Sequence, residues 1–296
     1  MHPAWFVHLT LAAIALAALP APVRAQDVVI RPREGGAVEV VIPTAADGSR
    51  VLPWNIRQVQ EMKAGQTLDI RGVIGSVRVH RSEFGDLASF TVSKADGGPV
   101  PRVVVLPHLT GVTVCAVYPS PNPKKPNTCL PGGKAKLTEG IAKDWPEVTF
   151  DVGLPDGVNV AVHVITGNIR ADAPPQRNVT LVTGKGRIAV VDYGASTLSV
   201  DSTAGDMQLT VAALPASAPR SVFGSVGYGT MTVRLHDTTP VHLYAPGTVT
   251  SVFPLEPGVA GLQEATLGPE TGHYVALRLS AGLLGKIDIQ SADEQR

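Results

Sequence analysis

From Leu68 onward the chain alternates between apolar and polar positions. The stretch from Leu68 to Val79 places Leu68, Ile70, Val73, Val77 and Val79 against Asp69, Arg71, Ser76 and Arg78, with Gly72 and Gly75 as breaks. Alternation at period two marks a half-buried strand. Ala88–Val92 repeats the pattern, Asp96, Gly97 and Gly98 form a turn, and Val103–Leu106 and Val112–Val117 read as two more strands. Upstream, Val38–Ile42 reads as a strand, and Pro32, Pro43 and Pro53 break up the rest of residues 26–66. The best helical fragment, Val59–Ala64, is under two turns. Trp54 and Ile56 fit an apolar plug over one end of the fold.

A longer period appears after Trp145. Gly167-Asn168-Ile169, Gly186-Arg187-Ile188 and Gly205-Asp206-Met207 recur at a step of 19 residues. Gly229-Thr230-Met231 follows after 24 and Gly247-Thr248-Val249 after 18; Gly285-Lys286-Ile287 closes the series and Gly75-Ser76-Val77 anticipates it. A tight turn between short strands needs a residue that accepts positive φ, and glycine does so without steric cost. The second and fourth positions after these glycines are apolar: Ile188 with Val190, Met207 with Leu209, Met231 with Val233, Ile287 with Ile289. Ser251 breaks this rule in the Gly247 unit. A coil of about 19 residues cannot bury such a face alone, whereas stacked coils cover one another. The pattern therefore predicts an all-β fold, a single-stranded β-solenoid (β-helix) of short Gly-turn repeats, with Met207 and Leu209 inside and Gln208 outside. A β-sandwich with glycine turns is the competing architecture; the recurrence of the 19-residue step favours the solenoid.

The N-terminus reads differently. Leu9–Leu19 is a short apolar run, Pro20 breaks it, and Val23 and Ala25 stand at −3 and −1 of a cleavage site before Gln26. That is the layout of a secretory signal peptide; its n-region carries His2 and His8 but no Lys or Arg. The run falls short of the roughly 20 residues that span a bilayer, and an uncleaved N-terminal anchor is the alternative. The expected organisation is a signal peptide at 1–25, a cap or linker at 26–66, a β-repeat domain at 67–291 and a polar tail at 292–296. Residues 119–147 interrupt the repeats as a surface loop, because Pro119, Pro121, Pro123, Pro126 and Pro131 exclude a continuous strand or helix.

Charge narrows the list of partners. Lys+Arg 25 balance Asp+Glu 25, so no basic excess calls for nucleic acid or an anionic membrane surface. No later segment is long and apolar enough to be a transmembrane helix. Cys115 and Cys129 are the only cysteines. In an exported chain such a pair reads as a disulfide, closing a loop worth about 3 kcal/mol. His80, His108, His163, His236, His242 and His273 are scattered without zinc-binding spacing, although His236 and His242 could meet across a turn. No Gly-x-Ser-x-Gly elbow is present. Gly184-Lys185-Gly186 and Gly227-Tyr228-Gly229 read as turns, since no helix follows to bind a phosphate. Asp151, Asp156, Asp172, Asp192, Asp201 and Asp206 could line a groove as paired acids, as in a polysaccharide-cleaving β-helix. No cofactor or metal site is expected.

The segment Val148–Val160, with Pro155 and Gly157 at its turn, leads into Ile165-Thr166-Gly167-Asn168-Ile169. Together with Gly186 and Gly205 it resembles the bacterial putative-adhesin family of β-strand repeat envelope proteins, a domain of unknown function. The Leu68–Val79 stretch looks like that family's opening strand-Gly-strand unit, and the likeness runs from about residue 66 to 291. Relatives often carry a small polar residue before the repeat glycine, where this chain has Thr166, Lys185, Ala204 and Tyr228. The resemblance implies a fold and an envelope location but no activity. The expected function is a non-enzymatic structural, adhesin-like or interaction module of the periplasm, cell surface or extracellular space, with an envelope protein or glycan as partner. A carbohydrate-active β-helix enzyme is the alternative.

Overall fold

The computed structural model describes residues 29–32, 38–41, 49–55, 57–133, 135–137, 145–172, 178–193, 196–211, 220–236, 239–246, 249–253, 256–257, 262–267 and 274–293. The signal-peptide region, Ile56, Gly247, His273 and the tail beyond Asp293 lie outside them. The chain forms two compact units, Met1–Pro43 and Thr44–Arg296. In the first, Val29–Pro32 pairs antiparallel with Val38–Val41. The second is all-β: one continuous sheet of 20 strands curls into an almost closed, barrel-like wall. Its one helical element among the described residues is a 3₁₀ turn at Pro131–Gly133.

Two parallel ladders make up most of that wall. The first stacks Thr67–Ile74, Asn159–Thr166, Asn178–Lys185, Thr197–Ala204 and the leading halves of Arg220–Leu235 and Val275–Ser291, with Val241–Pro246 beyond. The second stacks Val77–Arg81, Ile169–Asp172, Ile188–Tyr193, Met207–Val211, the trailing halves of the same two long strands, and Val249–Ser251. Successive strands pair 19 residues apart, as in Leu181 with Val200 and Ile188 with Met207. The 24-residue step is kept as well, in Leu198 with Val222. At the N-terminal end the wall turns antiparallel, where Arg102–His108 meets Gly111–Val117 and Leu87–Lys94 meets Val148–Leu154. Much of the segment read as cap or linker belongs to this sheet. Arg50–Leu52 pairs with the strand Arg102–His108, and Gln58–Glu61, which overlaps the helical fragment Val59–Ala64, is a strand paired with Leu87–Lys94. Trp54 is only half-buried.

The interior follows the expected register. Ile188, Met207, Met231 and Ile287 form one cross-strand row and Val190, Leu209, Val233 and Ile289 another, each residue at most 1% exposed. Gln208, between Met207 and Leu209, faces outward and is half-buried. Gly224 leaves room in the opposite row, and the Met231 Sδ lies 2.8 Å from where its β-carbon would be.

The two kinds of corner differ. The corner between Lys185 and Ile188 has only Gly186 and Arg187 in it. Gly186 has φ +148°, and a β-carbon there would lie 2.1 Å from the Gly167 carbonyl oxygen. Gly205 stands against Gly186 in the same way, at 2.0 Å. The column runs Gly75, Gly167, Gly186, Gly205, Gly229, all with positive φ. Gly285 is opposite Gly229 but lies inside the strand Val275–Ser291 and outside the left-handed region; the register slips there, between Val226 and Tyr228. Two hydroxyl residues, each three positions before a glycine of the column, are buried. Thr183 donates to the Gly167 carbonyl at 3.0 Å and Ser202 to that of Gly186 at 3.5 Å. The connections between the other strand ends differ in length: three positions separate Tyr193 from Thr197 and eight separate Val211 from Arg220.

Candidate functional site

Outward positions on the first ladder form one unbroken cross-strand row. It runs from Asp69 through Ala161, Thr180 and Ser199 to Phe223, Arg278 and Tyr244. Seven strands at about 4.8 Å spacing give the row a length of roughly 29 Å. Tyr244 is exposed, and its strand pairs on the far side with Leu262–Leu267.

At the Tyr244 end Val241–Pro246 alternates buried and exposed, so His242 and Tyr244 both point outward. Register places Arg278 between Phe223 on one neighbouring strand and Tyr244 on the other. The Arg278 guanidinium lies 5.8 Å from the Phe223 ring centre, a cation–π arrangement. Tyr274, just before the strand, meets the His242 ring near-perpendicularly with centroids 4.0 Å apart. His242 Nδ1 is also 3.2 Å from the Thr266 hydroxyl. Ala276 stands opposite His242, and its small side chain leaves a cleft of about 520 Å³ between the rings. Tyr244, Tyr274 and Phe223 are each at least 40% exposed. The cleft thus offers ring faces to an apolar surface and an imidazole, hydroxyls and a guanidinium to polar groups. That mixture is typical of small-ligand sites.

The other end of the row is covered. Asp69 is buried and its carboxylate lies 2.7 Å from the Arg71 Nε, the pairing a buried charge requires. Thr113, fully buried beside Asp69, accepts from the Gly132 N–H at 3.2 Å. Cys115 and Cys129 form a disulfide with Cα atoms 5.8 Å apart. The Pro-rich segment between them is pinned further by Tyr118, whose ring stacks on Trp145 at 4.3 Å and whose hydroxyl donates to the Pro146 carbonyl. Burial, with the negative charge of Glu147 adding to it, pushes the Tyr118 phenol up to about 12. Leu137 and Ala135 from the loop, with His163 and Arg71 from the wall, line a cavity of about 300 Å³. Burial holds the His163 pKa below the ordinary histidine value; Arg71 lowers it further and Asp69 opposes the shift.

The aspartates singled out from the sequence are dispersed. Asp172 lies between Arg170 at 2.7 Å and Arg78 at 3.1 Å, Asp151 beside His80 at 3.4 Å, and Asp156 beside Arg81 at 3.2 Å. Asp206 accepts from the Thr230 N–H and Asp201 is exposed; the Asp192 side chain lies outside the described residues. Among those residues no three His, Cys, Asp or Glu side chains gather closely enough to hold a metal. His236 and His242 take separate partners, Asp293 and Thr266. Among the described residues no helix is long and apolar enough to cross a membrane. The aromatic cleft was not foreseen, because its residues come from three strands that only the register brings together.

No protein-family model matches the sequence, and neither does any curated protein. Solved structures do. A putative cell adhesion protein from Clostridium sporogenes aligns over 80% of this chain and 99% of its own, at 14% identity and a TM-score of 0.46. A putative adhesin from Bacteroides fragilis aligns over 79% and 96%, at 11% identity and a TM-score of 0.30. One from Parabacteroides distasonis covers the same shares at 9% identity and a TM-score of 0.25.

Proposed function

We propose that this chain is an exported, non-catalytic β-solenoid of the bacterial envelope or cell surface that binds glycan at the cleft between His242, Tyr244, Tyr274 and Arg278. The cleft carries the reading: the exposed rings of Tyr244 and Tyr274 and the His242 imidazole line a cavity large enough for a sugar ring. The two in-register parallel ladders, each advancing by one repeat, support the solenoid. The disulfide and the Leu9–Leu19 run before Ala25 support export, as does the resemblance to the envelope repeat family.

The test is a panel of soluble envelope and host glycans offered to the mature chain, read by calorimetry and by product analysis. Saturable binding without new reducing or unsaturated ends is expected, with loss of binding in Tyr274→Ala. Release of shortened products would replace this reading with the β-helix enzyme. Intact mass of chain recovered from periplasm or medium should begin at Gln26; a retained Met1 contradicts cleavage.

A further inference from the structure

A second cleft lies on the outer face of the other ladder. Its cavity is about 280 Å³. Ala189 provides a shallow floor between Arg170 and Gln208, its register partners on the adjoining strands. Arg187, at the glycine corner, and Arg234, on the strand beyond Thr210, complete the rim. The strand Ile188–Tyr193 bulges beyond Val190, where its register with Met207–Val211 shifts, and this bulge helps to hollow the face.

The charges at this rim are unequal. Arg170 is paired with Asp172, which Arg78 also shares. Among the described residues neither Arg187 nor Arg234 has a carboxylate within ion-pair distance, and the Arg234 Nε is buried with no hydrogen-bond partner in the protein. Asp206, next after Arg187 in its column, is engaged elsewhere: it accepts from the Thr230 N–H at 2.9 Å. Two guanidinium groups bordering one small cleft, neither paired with a carboxylate among the described residues, suit a compact dianion that takes several forked hydrogen bonds.

We propose that this cleft binds a phosphate monoester, a group carrying about −1.5 to −2 charge at neutral pH, presented on an envelope polymer or as a free small molecule. A carboxylate meets only half of that charge. The proposal stands independently of the aromatic cleft, which lies on the opposite ladder.

The mature chain is titrated with inorganic phosphate, phenyl phosphate and acetate at low ionic strength, followed by calorimetry and by arginine side-chain NMR. One saturable site for both phosphates is expected, at least ten-fold tighter than acetate and weakened by added salt. Arg234→Gln and Arg187→Gln should each weaken it at least five-fold, while Tyr274→Ala leaves it unchanged. If Arg234→Gln fails to fold, the exposed Arg187→Glu gives the same reading. A phosphorylated polysaccharide that binds, while free phosphates bind with the same affinity, shows that the polymer adds nothing beyond its phosphate group. Equal affinity for acetate, or phosphate binding that persists in both arginine variants, overturns the proposal.

Discussion

The two ends of one outward row differ although the backbone beneath them is the same. At the Asp69 end the disulfide-tethered segment packs on the sheet, and the outward side chains behave as interior ones: a carboxylate beside an arginine, a threonine bonded to the loop backbone, a histidine held below its usual pKa. At the Tyr244 end no described segment lies over the row, and outward positions carry exposed rings around a cation. A ladder dictates which residues face out, but what covers them decides whether they must be satisfied internally or stay available to a ligand.

The largest effect should come from the interior that both ends share. Leu209→Ala is expected to cost about 2–5 kcal/mol, against under about 0.5 kcal/mol for Gln208→Ala, compared by denaturant midpoints. Equal losses would mean that the register is wrong and that the two ends share no core.

Removing the disulfide separates the ends. Replacing Cys115 and Cys129 by Ala should cost about 3 kcal/mol. It should also raise amide exchange in the strands Thr67–Ile74 and Asn159–Thr166 and leave that in Val241–Pro246 unchanged. Uniform acceleration across both ends would show that the loop stabilises the wall as a whole.

A smaller effect depends on pH. The folded His163 favours its neutral form, so its contribution to stability is complete above about pH 6.5. It declines as the pH falls from there through the lowered folded value, because the unfolded chain takes up the proton first. Between about pH 7 and pH 5 the native midpoint should fall more steeply than that of His163→Gln; parallel curves would deny the covered end its effect on this ring. The smallest stability effect belongs to the bare end. Tyr244→Ala should shift the midpoint by under about 0.5 kcal/mol while weakening glycan binding, and a large loss of stability would reclassify the ring as structural.

The interior was legible in the sequence because two local rules agree there. Strand alternation and a constant offset from a turn glycine select Met207 and Leu209 without any knowledge of pairing. The cysteine pair was legible for the same kind of reason, closeness along the chain. The cleft was not: Phe223 and Arg278 are 55 positions apart, and His242, which the sequence offered only His236 as a neighbour, meets Tyr274 and Thr266 instead. Residues 50–61 were missed because their antiparallel partners, Leu87–Lys94 and Arg102–His108, lie outside the repeat. Gly285 matched the motif, yet the slip after Val226 carries the chain past it in an extended conformation.

The corner glycines fix where the length of the protein can change. Each glycine of the column is barred to any side chain by backbone stacked against it, so a gained or lost segment must bring its glycine to the same place. A partial insertion at a glycine corner would pull both ladders out of alignment at once. The other connections carry no such rule: eight positions separate Val211 from Arg220 where three separate Tyr193 from Thr197, and Met207 still faces Met231. Lineages of this protein should therefore vary by duplicated repeats or by growth at that permissive edge, and a peptide tag inserted at 212–219 should be carried without loss of fold.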